Sequence, residues 1–223
     1  MREKIKIALP SSDFDIEKFV VSDEEDAQQQ TILIHYPSVI IEKDDYIKST
    51  IKIEAGAKSA LDPHQLITIQ PYIAPELSAL NLSVPNIAVI DAERTFWDKV
   101  MILHGIRSWY DTRGELRQNG HRVSRHYYDV YQLMQAHVSQ QALRNIDLAI
   151  DCAQHAQLFF NSAALNLEKA THGSFTLMPT PEMRHTLHRD YNAMAGMIFG
   201  EKPTFDNILE SISNLEKIIN RNE

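Results

Sequence analysis

Residues 91–105 read DAERTFWDKVMILHG, and the character of the chain changes at this stretch. Asp91 is a helix-capping residue type, Phe96, Val100 and Leu103 recur at helical spacing, and Gly105 suits a helix end. The stretch therefore predicts a helix from Asp91 to Gly105. Upstream the pattern is different. TILIHYP (31–37) and STIKIEAG (49–56) are short β-branched runs with partial alternation, bounded by proline and glycine. The charged turn IEKDDYIK lies between them. LITIQPYI (66–73) reads as a third strand whose end Pro71 would confine to a sheet edge.

Downstream everything is helical. After the Arg-rich loop DTRGELRQNGHR (111–122), Ser124 is expected to cap a helix through RHYYDVYQLMQAH, and QQALRNIDLAIDCAQHAQLFF (140–160) reads as one further helix. TPEMRHTLHRDYNAMAGMIFG (180–200) starts with Thr180 as cap and Pro181 in the first helical position. TFDNILESISNLEKIIN (204–220) starts at Thr204 and carries the stripe Ile208, Ile212, Leu215, Ile219. The class is α+β, with residues 1–90 sheet-bearing and residues 91–223 helical.

Composition narrows the function classes. A net charge of −8 disfavours a protein that coats nucleic acid along its whole surface. The lone Cys152 excludes an intrachain disulfide and any cysteine-based zinc site, which fits a reducing compartment and a cytoplasmic location. No run approaches the ~20 apolar residues of a membrane span, so no membrane partner is expected. H-E-x-x-H, G-x-S-x-G, the P-loop and G-x-G-x-x-G are all missing. Arg117–His121, Arg122–His126 and Arg184–His188 are each one residue short of an R-x(4–6)-H ribonuclease spacing.

A few residues stand out chemically. Lys99 shares a helix face with Phe96 and Leu103, so its stem packs on the core; its ammonium then reaches water, a phosphate or a buried carboxylate. Asp129 offers such a carboxylate, although Arg125, four residues earlier, is a local competitor. Glu54 ends a strand beside Gly56, either on a solvated face or where a metal-binding acid would have room. Arg94, Lys99, Arg107, Arg113, Arg117, Arg122 and Arg125 form a basic island around Trp109 and Tyr110, suited to an RNA backbone or simply to solvent. Ser12, Asp13 and Asp15 form an S-D-x-D that invites a metal reading.

Four ordered segments, YIKSTIKIEAGAKS, ERTFWDKVMILHG, RVSRHYYDVYQLM and FGEKPTFDNILESISNLEKIIN, resemble the nucleotidyl transferase AbiEii/AbiGii toxin family. The resemblance implies a nucleotidyltransferase-like mixed sheet, of which residues 1–90 are the C-terminal part, followed by a helical domain at 91–223. It implies metal-assisted transfer of a nucleotide from a nucleoside triphosphate to an acceptor such as tRNA, with Mg2+ or Mn2+, and a cognate antitoxin. Glu54 matches the strand acid at the metal. Lys99 matches the lysine of E-R-T-x-x-x-K, and Arg125 and Asp129 match R-H-x-Y-D. Glu54, Lys99 and Asp129 are thus the expected catalytic residues, and Arg94, Lys58, Arg125 and His126 the expected substrate-binding ones.

The family pattern begins with a G-G-T/S turn and an acidic pair, yet no glycine precedes Gly56. The resemblance therefore implies a chain that starts late in that pattern, with Asp13 and Asp15 in a connector. A non-catalytic RNA- or antitoxin-binding module is the alternative expectation.

Overall fold

The computed structural model describes residues 19–22, 31–37, 46, 48–56, 60–160 and 162–221. Asp13, Asp15 and Lys58 lie outside them. The chain divides into two compact units, Met1–Ser59 and Ala60–Glu223.

In the first unit, β1 (Val20–Ser22), β2 (Thr31–His35) and β3 (Thr50–Glu54) form one sheet in the order β1-β2-β3. Both pairings are antiparallel, with Ile32 opposite Ile53 and Ile34 opposite Ile51. The side-chain period of two places these isoleucines on one face, which fixes the register. In the second unit β4 (His64–Ile69) and β5 (Val84–Ile90) make an antiparallel hairpin. The α+β class holds. Every described pairing is antiparallel, however, so the mixed sheet implied by the resemblance is not seen among the described residues.

β5 has no counterpart in the sequence reading, because VPNIAVI carries a proline near its start and does not alternate. The structure absorbs that irregularity. Ile67 faces Ile87 but Ile69 faces Val84, so Pro85 and Asn86 oppose a single residue of β4. Asn86 adopts φ 58°, and the pair forms a bulge. β4 stops at Ile69, two residues before Pro71, where a missing N–H ends the ladder.

The helices are α1 (Ala92–Arg113), α2 (Ser124–Gln135), α3 (Val138–Arg144), α4 (Ile146–Phe159), α5 (Pro181–Ala193) and α6 (Phe205–Ile219). α1 starts after Asp91 as expected, but it runs through Gly105 and ends at Gly114, whose φ of 72° suits glycine. Gly105 serves packing instead. A Cβ there would sit 3.4 Å from Leu165 Cδ2, and the absent side chain lets the segment around Leu165 and Leu167 lie against α1.

The expected single helix over 140–160 is two. Asn145 leaves helical geometry, and its side chain accepts the Leu148 N–H at 3.1 Å, so it ends α3 and caps α4. α5 begins as read, with Thr180 accepting from the Met183 N–H. α6 does likewise, with Thr204 accepting from Asn207.

The helical core is built from buried Phe96, Trp97, Val100 and Leu103 of α1, Met183 and Leu187 of α5, and the α6 stripe Ile208, Ile212, Leu215 and Ile219. Side chains tie the connecting segment 170–180 to this core. Glu216 accepts the N–H groups of Leu177 and Met178, and Asn220 bonds both the N–H and the carbonyl of Phe175. No helix among the described residues is long and apolar enough to cross a membrane.

Candidate functional site

α1 and α2 bring together two residues that are thirty apart in sequence. Lys99 sits on α1 between the buried Phe96 and Leu103, and Asp129 sits on α2 between the buried Tyr127 and Val130. The apolar neighbours fix the facing surfaces of the helices. The polar residues meet at the margin of the contact, where Lys99 Nζ donates to Asp129 Oδ2 at 2.5 Å. The two side chains are 25% and 37% exposed, so the pair is open to solvent on one side. A pair of that exposure contributes about 1 kcal/mol or less to stability. Asp129 is thus held by Lys99, while Arg125, its local alternative, is exposed.

His126 lies against this pair. Its Nδ1 is buried without a hydrogen-bond partner. Burial first, then the charges of Lys99 and Arg125, lower its pKa to about 4, against the opposing pull of Asp129 and Asp190. The imidazole is therefore neutral near pH 7 and adds no positive charge for a phosphate. Because the folded value is below the ordinary 6.5, the neutral form contributes stability that is complete above pH 6.5 and is lost as pH falls through about 4. The expected result is a urea midpoint that drops across this window, and drops less in His126→Asn. Equal drops in both proteins would show that His126 does not titrate in this way.

Arg94 is placed differently from the other expected substrate contacts. It is 2% exposed, and its Nη1 donates to the Asp62 carbonyl at 2.6 Å and to Asp151 Oδ2 at 2.5 Å. Asp98 lies 3.9 Å from its Nε, and burial raises the Asp98 carboxyl above the usual range despite that cation. Nε and Nη2 are buried without a hydrogen-bond partner. A nucleotide would have to open this cluster to reach the guanidinium. Burial likewise pushes the neighbouring Cys152 thiol up to about 12, so it stays protonated.

Glu54 stands at the end of β3 in the first unit, exposed, with Lys52 Nζ 2.9 Å from its Oε1. Among the described residues, no group of three or more His, Cys, Asp or Glu is placed to hold a metal ion. The basic island is partly engaged internally. Arg107 bonds Asp111 at 2.9 Å and the Met178 carbonyl at 2.7 Å, while Arg113 and Arg117 lie over the Trp109 ring at 5.5 and 5.0 Å. Sequence reasoning missed Asp62 and Asp151, the partners of Arg94. Asp151 sits in the middle of α4 with no cap or motif around it, so nothing local marks it out.

The family described as nucleotidyl transferase AbiEii toxin, Type IV TA system, matches residues 5–211. This chain belongs to the AbiEii family. The matched region contains Glu54, Arg94, Lys99, Arg125, His126 and Asp129, and reaches into α6. Membership of a type IV toxin–antitoxin family implies an antitoxin partner. Comparison with curated proteins and with solved structures gave no significant match.

Proposed function

We propose that this AbiEii-family chain transfers a nucleotide from a nucleoside triphosphate to an RNA acceptor of the tRNA kind, with the Lys99–Asp129 pair as the phosphate-facing end of the site. The observation that carries the reading is a lysine ammonium held at 2.5 Å by a carboxylate on a second helix, with one side open to solvent. An ammonium is a compact cation suited to phosphate oxygens. Asp129 keeps it on the open side of the α1–α2 contact until a triphosphate competes for it. In the reaction the acceptor hydroxyl oxygen bonds to the α-phosphorus and its proton passes to solvent water, the bond from that phosphorus to the bridging oxygen of the β-phosphate breaks, and pyrophosphate leaves. Charge neutralisation by Lys99 would favour both the bound triphosphate and the departing group. Mg2+ or Mn2+ commonly supplies further neutralisation in such transfers. Among the described residues no three His, Cys, Asp or Glu side chains gather to hold it, and no step here is routed through it.

The test is incubation of the purified chain with α-labelled triphosphates, Mg2+ and a tRNA pool. Label is expected in the RNA, and Lys99→Ala is expected to lower the transfer roughly 100-fold or more. Transfer that Lys99→Ala leaves unchanged would overturn the assignment.

A second reading, a non-catalytic surface for RNA or the antitoxin, is favoured by the two guanidinium groups over Trp109, with Arg122 and Arg125 further along the same loop and helix. No transfer, together with RNA or antitoxin binding that is lost on charge reversal of Arg113, Arg117 and Arg122, would support it instead.

A further inference from the structure

α2 starts without a cap of its own. Val123 occupies the N-cap position with no side-chain cap bond, and the first turn carries no acidic residue. The leading N–H groups of a helix need acceptors from elsewhere. Ser124, the expected cap, is the first helical residue, and its hydroxyl points to another helix.

The acceptor is Asp190 of α5, which is 7% exposed. Its Oδ1 accepts the Arg122 N–H at 2.7 Å, and its Oδ2 accepts the Ser124 N–H at 2.8 Å and the Ser124 hydroxyl at 2.5 Å. Arg122 sits at φ 59°, a left-handed conformation that is uncommon for a residue with a side chain. Its amide is one of the three donors that converge on the carboxylate. A carboxylate at a helix N-terminus also meets the positive end of the helix dipole. Three hydrogen bonds from two neighbouring residues fix both the height and the rotation of the first turn of α2 against α5.

We propose that Asp190 is the positioning residue of the Lys99–Asp129 pair. Asp129 lies five residues beyond Ser124, about 7.5 Å along the helix axis. Rotating α2 by roughly 20° would move a side chain on its surface by about 2 Å, given a helix radius of about 5–6 Å. That displacement is enough to part a donor and acceptor at hydrogen-bond distance. The buried carboxylate thus acts through the helix, and touches neither Lys99 nor the reacting groups. Its functional weight rests on the proposed role of the pair in nucleotide transfer, whereas its geometric effect on the pair does not.

The experiment reads the pair directly, without nucleotide. The folded chain is labelled in trace amounts with an amine-reactive reagent, and the rate at Lys99 is compared by mass spectrometry with the rates at the exposed Lys169 and Lys217. Lys202, which lies over the Tyr191 ring of α5 at 4.5 Å, reports any general loosening of that helix. Asp129→Asn is expected to raise the Lys99 rate about two- to fivefold, the factor expected for loss of a partly exposed ion pair. Asp190→Asn is expected to raise it by a similar factor, although both partners of the pair are still present, with Lys202 unchanged. Ser124→Ala removes one of the three bonds and is expected to give a smaller rise in the same direction, which keeps the test decisive if Asp190→Asn fails to fold. A wild-type Lys99 rate in Asp190→Asn, or in Ser124→Ala if that is the folded variant, beside a raised rate in Asp129→Asn would overturn the proposal. So would a parallel rise at Lys202. Neither result bears on whether the wild-type chain transfers nucleotides.

Discussion

Replacing Arg94 by alanine is expected to cost about 3 kcal/mol of stability, at the lower end of what removing one partner of a buried ion pair costs. The side chain is 2% exposed, so its aliphatic stem is packed as well as its charge. Its loss leaves the Asp62 carbonyl without the Nη1 donor and the buried side of Asp98 without its nearest cation. Asp151 is 60% exposed and water can take over its solvation, which keeps the cost from rising further. Arg94→Met refills most of the volume, and is expected to cost roughly half as much. Urea unfolding followed by circular dichroism at 222 nm measures both variants. A change below about 0.5 kcal/mol for Arg94→Ala, the range of an ordinary surface substitution, would remove the structural role. The guanidinium would then be available to a substrate.

The second large effect is expected at Trp97, whose replacement by alanine should destabilise the helical unit by about 3–5 kcal/mol. The indole is 1% exposed, stands edge-on to Phe96 with centroids 5.4 Å apart, and stacks on Phe175 at 6.1 Å. Its Nε1 donates to the Ala142 carbonyl at 3.0 Å, which ties α1 to the last turn of α3. Trp97→Phe keeps most of the apolar body but removes that donor, so about 1–2 kcal/mol should be lost. The same unfolding measurement separates the two contributions. Equal costs for the two variants would mean that the hydrogen bond, and not the packed ring, holds this part of the core.

The features that the sequence made legible are those decided within one turn. Thr204 and the stripe Ile208, Ile212, Leu215, Ile219 place α6, and Thr180 with Pro181 places the start of α5, because caps and periodicity are local. Errors arose where one residue type serves two purposes. Gly105 has the look of a helix end, but its missing side chain is used for close packing inside α1. Asn145 looks like an ordinary polar helix residue, yet its side chain diverts the backbone and splits the helix. β5 was hidden by Pro85 and Asn86, whose bulge depends on the partner strand.

The site followed the same division. Lys99 and Asp129 were separately visible as a lysine on an apolar face and an acid on a helix, and the local i,i+4 rule left Arg125 as a competing partner for Asp129. Tertiary packing gave the carboxylate to Lys99. Only the order of motifs shared with the AbiEii/AbiGii family linked the two in advance. Asp151 and Asp190 stayed silent because their partners lie 57 and 66 or more residues away. An acid on a helix reads as solvent-facing until those partners are in place.

The central claim is that Lys99 and Asp129 work as one unit in nucleotide transfer. A double-mutant cycle tests it, with label transfer from α-labelled triphosphates to tRNA measured for the wild type, Lys99→Ala, Asp129→Ala and the double variant. If the ammonium and carboxylate act as a unit, each single change should lower transfer roughly 100-fold or more, and the double variant should be little worse than either. Losses that multiply, or a single variant that transfers label at the wild-type rate, would contradict the account.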